Sequence, residues 1–141
     1  MKRFVFFISI LLISHTAIGQ ATPKQLSGDY CSVNNKSERW SILSLKENQT
    51  FKYNYGLGGC QAIVTGKWTI KKNQLFLIND PQFNPVNHLG NDSLKKMPRP
   101  FYPDLSKTNW IVKTNWIKPI EIIDCGCLKE NGKHKKIKNA L

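Results

Sequence analysis

Residues 39–78 read RWSILSLKENQTFKYNYGLGGCQAIVTGKWTIKKNQLFLI, and apolar side chains recur there at every second position. An extended strand sends alternate side chains to opposite faces, so this period of two predicts β-structure. The cleanest segment is 50–55 (TFKYNY), where Phe51, Tyr53 and Tyr55 share a face opposite Lys52 and Asn54. Segment 39–46 places Trp40 and Ile42 on one face and Leu43 and Leu45 on the other. Segment 60–70 is a longer strand in which Gly66 marks a bulge or bend, and 74–78 (QLFLI) is a compact apolar strand. Glu47-Asn48-Gln49, the glycine-rich 56–59 and Lys71-Lys72-Asn73 supply the turns. With 28–33 upstream, five strands follow one another as an antiparallel meander, and no segment carries a helical stripe of similar quality.

Downstream the pattern breaks. Five of the seven prolines (Pro81, Pro85, Pro98, Pro100, Pro103) fall within 81–103, so 79–105 is expected as a long loop rather than a ladder strand. Alternation resumes at 108–117, where Lys107-Thr108-Asn109-Trp110 recurs as Lys113-Thr114-Asn115-Trp116. An uninterrupted strand would put both tryptophans on one face, and a turn between them is the equal alternative. Segment 119–124 (PIEIID) is expected as a final alternating strand. From 129 the chain reads KENGKHKKIKNAL, five lysines against Glu130, and is expected as a basic tail over 129–141.

Composition fits one domain. The 141 residues are 40% hydrophobic and 21% charged, which excludes bulk disorder, and the net charge of +12 excludes an acidic calcium-binding protein. At the other end, Lys2 and Arg3 precede an apolar run over 4–14, and Ala17-Ile18-Gly19 offers small residues for cleavage. Residues 1–19 therefore read as a secretory signal peptide. The apolar run is well short of the ~20 residues that span a bilayer, so no transmembrane segment is expected after processing. The single β-rich domain is placed over 20–128, in a secreted or periplasmic protein.

Export directs the reading of Cys31, Cys60, Cys125 and Cys127 towards disulfides. Bridging Cys125 to Cys127 is sterically poor, so two bridges are expected, each joining one of Cys31 and Cys60 to one member of the Cys-Gly-Cys. A thiolate metal site using Cys125, Cys127 and His134 is the weaker alternative, because the spacing of structural zinc ligands is absent.

The chain holds no G-x-S-x-G, H-E-x-x-H, P-loop or dinucleotide fingerprint. No cofactor, metal or catalytic residue is therefore expected. His88, near Asp92 and Ser93, reads as a solvated loop histidine. Lysine–aromatic alternation at Lys52-Tyr53 and Lys67-Trp68 resembles a nucleic-acid stacking face, but an exported strand with inward aromatics gives the same pattern.

Gly28-Asp29-Tyr30, residues 45–51 (LKENQTF) and residues 66–75 (GKWTIKKNQL) resemble small lipocalin-like domains of secreted bacterial proteins. The resemblance covers 28–78 and implies an antiparallel barrel or half-barrel, with an apolar ligand in a calyx in true lipocalins. The expected fold is accordingly an all-β, disulfide-stapled barrel-like or sandwich-like domain of roughly seven strands. The expected function is a non-enzymatic binding module. Trp40, Phe51, Tyr53, Tyr55, Trp68 and Trp110 would hold a small apolar ligand or a protein partner. The alternative is a cell-envelope protein that binds anionic polymer or lipid through the tail lysines, Lys95, Lys96 and Arg99.

N-terminal sequencing of the exported protein should begin at Gln20. Removing 19 of 141 residues leaves 122, and losing Lys2 and Arg3 takes the formal charge from +12 to +10; a retained Met1 would refute export by cleavage.

Overall fold

A computed structural model describes residues 21–33, 39–83 and 102–137. The signal segment, the middle of the proline-rich loop with His88, Lys95, Lys96 and Arg99, and residues 138–141 lie outside them.

The expected meander is present: β1 (Gly28–Ser32), β2 (Arg39–Leu45), β3 (Thr50–Leu57), β4 (Cys60–Lys71) and β5 (Gln74–Asn79) pair in sequence order, all antiparallel. The β4–β5 hairpin turns on Lys72 and Asn73, both at positive φ (48° and 61°), the backbone that a two-residue hairpin demands. β6 (Asn109–Lys113) and β7 (Trp116–Pro119) form the next hairpin, so the repeated Lys-Thr-Asn-Trp spans a turn. Trp110 faces inward and is fully buried, while Trp116 lies half-buried beneath the Lys133 ammonium, 4.6 Å from its ring centre. Two short ladders remain, β8 (Ile123–Asp124) with β9 (Lys129–Glu130), and β10 (His134–Lys136).

β10 pairs with β1 on one side and β7 on the other, which closes an eight-stranded barrel in the order β1-β10-β7-β6-β5-β4-β3-β2. The segment 129–137 is thus ordered structure, β9 in a ladder with β8 and β10 in the barrel wall, not a frayed tail. Its burial alternates strictly from Lys129 to Lys135, with Glu130, Gly132 and His134 inward. Segment 119–124 departs from its expected strand as well. Ile120 and Ile122 are 51% and 61% exposed, and the chain here leaves the wall to cover the barrel end.

One end is stoppered by α1 (Pro23–Leu26), whose Leu26 is buried and whose carbonyl accepts from the Tyr30 hydroxyl at 2.8 Å. Thr22 and Gln25 form a reciprocal capping box at its start. At the opposite end Leu105, Ile123, Cys125 and Leu128 pack inward. Asn79, itself buried, donates to the Pro103 carbonyl and accepts from the Leu105 N–H, so the proline-rich segment is pinned where it returns. Among the described residues, no helix is long and apolar enough to cross a membrane.

Cys60 and Cys127 form a disulfide that ties the β3–β4 hairpin to the end cover, across 67 residues of sequence. A loop of that length contributes on the order of 4 kcal/mol in the chain-entropy model. The second expected bridge is absent: Cys31 and Cys125 are free. Cys31 sits between inward Tyr30 and Ser32 and therefore lies on the outside of the wall, whereas Cys125 is buried inside.

Gly66 occupies no bulge. The β3–β4 register runs through it without a break, from Thr65↔Lys52 to Lys67↔Thr50. It is glycine because a Cβ there would fall 2.1 Å from the Ile78 carbonyl oxygen and 2.6 Å from the Phe51 ring. Gly66→Ala should therefore destabilise the barrel by about 3 kcal/mol. Gly59→Ala, where nothing lies within 4 Å, should stay within ~0.5 kcal/mol. Urea unfolding of the two variants side by side decides the point.

Candidate functional site

Five of the six aromatic residues expected to meet a ligand do point into the barrel. Phe51, Tyr53 and Tyr55 come from β3, Trp68 from β4 and Trp110 from β6, none more than 2% exposed. Tyr53 stacks on Tyr55 (ring centres 5.5 Å apart) and meets Trp110 edge-on at 6.4 Å. The Trp68 indole N–H is engaged by the Lys46 carbonyl at 3.1 Å. All five rings belong to one buried cluster and expose almost none of their surface, so an occupant among them would require side chains to move. Trp40 is elsewhere. It lies on the outer face, over Gly56, where any Cβ would come within 2.8 Å of its ring.

Beside the aromatics sits a polar cluster that the sequence reading did not single out. Ser41 on β2 is 1% exposed; Glu130 on β9 and His134 on β10 are fully buried. Ser41 Oγ lies 2.9 Å from Glu130 Oε2 and 2.8 Å from His134 Nε2. Glu130 Oε1 accepts from the Gly132 N–H at 2.7 Å, and His134 Nδ1 lies 3.1 Å from the Gly132 carbonyl. Arg39 approaches from the rim, its Nη2 3.8 Å from Glu130 Oε1, and also donates to the Lys129 carbonyl. The imidazole meets Trp110 edge-on at 5.1 Å. Alternation alone put Ser41 on the same face of β2 as Leu43 and Leu45; that this face turns inward is set by the structure.

Serine, histidine and glutamate together invite comparison with a hydrolase triad, but the roles differ. In a triad the acid holds the histidine nitrogen remote from the serine; here Glu130 contacts Ser41, and a backbone carbonyl holds Nδ1. With all three side chains enclosed, a substrate carbonyl has no approach to Ser41. What the cluster does is satisfy buried polar groups and pin β10 to β2.

Burial sets the local acid–base character. Cys125, chiefly through desolvation, is pushed up to about 12, and Tyr53, also mainly by burial, is held well above the ordinary tyrosine value. Cys125 is therefore a protonated, unreactive thiol at neutral pH. Cys127 is consumed in the disulfide, which removes the alternative ligand set of Cys125, Cys127 and His134. No cluster of three metal-ligating side chains occurs among the described residues.

Outside, the wall is cationic. Lys52 (β3), Lys67 and Lys71 (β4), Lys113 (β6), Lys118 (β7) and Lys135 (β10) occupy outward positions of the eight barrel strands, where Asp29 is the one acidic side chain. At the α1 end a cavity of about 490 Å³ opens between Leu26, Tyr30, Val112, Gln25, Lys113 and Thr114.

Compared with protein-family models, curated proteins and solved structures, the chain matches none.

Thiol labelling checks the cysteine assignment. Native, unreduced protein should take one alkyl group, at half-exposed Cys31. Unfolding without reduction should add a second at Cys125, and reduction should bring the total to four. Complete protection of both Cys31 and Cys125 after unfolding would mean that the second bridge forms.

Proposed function

We propose that this chain is an exported, non-enzymatic binding module that takes an anionic polymer or lipid surface on the outer wall of its barrel. The observation that carries this reading is the six outward lysines set against a single outward carboxylate, Asp29, on the eight barrel strands. Lysine ammoniums on a closed wall are fixed in spacing by the strand ladder, and a polyanion releases its counterions when it covers them. The Cys60–Cys127 disulfide supports export, since such bonds persist in oxidising compartments. The enclosure of Ser41, Glu130 and His134 supports the non-enzymatic part. The cationic surface thus lies on the barrel wall itself, rather than only in the tail and proline-rich loop.

A second reading rests on the cavity beside α1. Its lining of Leu26, Tyr30 and Val112 with Gln25, Lys113 and Thr114 suits a small ligand of mixed polarity, in keeping with the resemblance to lipocalin-like domains. This site is at the barrel mouth, not among the central aromatics.

Binding to heparin, or to vesicles containing phosphatidylglycerol, should fall more than about tenfold between 50 and 200 mM salt, the steepness expected for several charge contacts. Lys52→Glu combined with Lys67→Glu should weaken it a further ~10-fold or more without altering the unfolding midpoint by much, since both side chains are exposed. Salt-independent binding that survives the charge reversal would favour the mouth cavity instead.

A further inference from the structure

The cluster of Ser41, Glu130 and His134 can be read by counting hydrogens. His134 Nδ1 faces the Gly132 carbonyl at 3.1 Å; a carbonyl only accepts, so Nδ1 carries a hydrogen. Across the ring, Nε2 lies 2.8 Å from Ser41 Oγ, and the same Oγ lies 2.9 Å from Glu130 Oε2. In a neutral imidazole with its hydrogen on Nδ1, Nε2 is an acceptor, and an ionised carboxylate is an acceptor only. Ser41 has one hydroxyl hydrogen for these two acceptors. One of the two contacts would then set lone pair against lone pair at hydrogen-bond distance, in an interior where an unsatisfied group is costly.

One added proton removes the conflict. Placed on the imidazole, it lets Nε2–H donate to Ser41 and Ser41 donate to Glu130; placed on the carboxylate, it reverses the direction of both bonds. In either arrangement every contact runs from donor to acceptor, and the Glu130–His134 pair carries no net charge. The proton belongs to the pair.

We propose that Ser41, Glu130 and His134 form a proton-held latch on the strand that closes the barrel: the folded chain keeps one proton more than a neutral histidine and an ionised glutamate would carry, and its release to solvent loosens the seat of β10. The groups packed around the latch are consistent with this count. Arg39 on β2 approaches Glu130 from the rim. Tyr53 on β3 lies 6.5 Å from the imidazole, ring to ring, and it and Cys125 in the end cover are kept neutral by burial. Ser32 on β1 and Ile117 on β7, the residues paired with His134, bring no charge. Burial is the strongest influence on the imidazole and on balance lowers its own proton affinity, against Glu130 and the Gly132 carbonyl, so the added proton is assigned to the pair on the hydrogen-bond geometry and not to the imidazole alone.

The linkage has a definite sign. In the unfolded chain Glu and His titrate near about 4.3 and 6.5, so between those values the folded and unfolded states each hold one proton on the pair. Above about 6.5 the unfolded histidine loses its proton while the latch retains it. The unfolding equilibrium constant should then rise about tenfold per pH unit on this account.

The test is urea unfolding of the mature, disulfide-intact protein at intervals from pH 7 to 8.5, beside His134→Gln and Ser41→Ala. The wild type should show a pH slope greater by about one proton than His134→Gln, with Ser41→Ala intermediate or equal to the latter; equal slopes in all three proteins overturn the latch. Should the variants fail to fold, nitrogen-15 spectra of the wild-type His134 ring at pH 7.5 decide. A doubly protonated ring, or a neutral Nδ1–H ring beside a protonated Glu130 carboxyl in carbon-13 spectra, supports the proposal; a neutral ring beside an ionised Glu130 carboxylate overturns it.

Discussion

A sheet of seven consecutive antiparallel strands ends in two rows of unpaired backbone donors and acceptors, one along β1 and one along β7. Those edges are what a third strand must satisfy, and His134–Lys136 satisfies both at once. Three residues do this because their placement is set beforehand. The cover that precedes them is anchored to the β3–β4 hairpin by Cys60–Cys127 and to the rim of β2 by Arg39. At the far side the Lys136 ammonium reaches the Gln25 carbonyl and so ties the closing strand to α1. Closure in turn divides the molecule into an enclosed interior and an outer wall.

Much of this was legible in residues 39–78, where bulky apolar side chains alternate with polar ones. β2 to β5 begin where the alternation begins; of the expected turn residues, Glu47-Asn48-Gln49, Gly58-Gly59 and Lys72-Asn73 fall between them, while Gly56 and Leu57 extend β3 and Lys71 extends β4. The same rule failed where its two halves came apart. In residues 129–135 the alternation is intact, but the inward positions are Glu130, Gly132 and His134, so a pattern defined by hydrophobicity registers a polar tail. In residues 119–124 the reverse holds: isoleucines and polar residues are interleaved, yet between Pro119 and the short β8 no strand is placed to pair with them, and Ile120 and Ile122 face solvent. Periodicity reports which residues could share a face. It does not report whether a neighbour exists.

The expected ligand-facing aromatics teach a related lesson. Phe51, Tyr53 and Tyr55 were placed inward by Lys52 and Asn54 on the opposite face. β2 gave no such guide, because Trp40 and Ile42 on one face are as apolar as Leu43 and Leu45 on the other. What decides it is the partner strand: Gly56, in register with Trp40, leaves a shallow place for the indole on the outside. Likewise, counting gave Cys31 a partner in either Cys125 or Cys127; with Cys127 bonded to Cys60, Cys125 is left, and the wall of the barrel lies between it and Cys31. Both cases turn on cross-strand register, which a single sequence does not display.

The polar residues under β10 also bear on register. An apolar side chain at position 134 would gain transfer energy, yet a three-residue strand gripping its neighbours by backbone bonds alone has little to distinguish one register from the next. A slip of one residue would turn Lys133 or Lys135 inward and leave His134 outside, burying an ammonium at a cost of several kcal/mol. A slip of two keeps the faces but brings Gly132 or Lys136 to Ser41, neither of which can replace the imidazole between a hydroxyl and a carbonyl. Apolar packing penalises the first error, whereas only a directional contact penalises the second. A buried hydrogen-bonded cluster at the closing strand therefore trades some stability for a single register, and the barrel has most need of that where its strand is shortest.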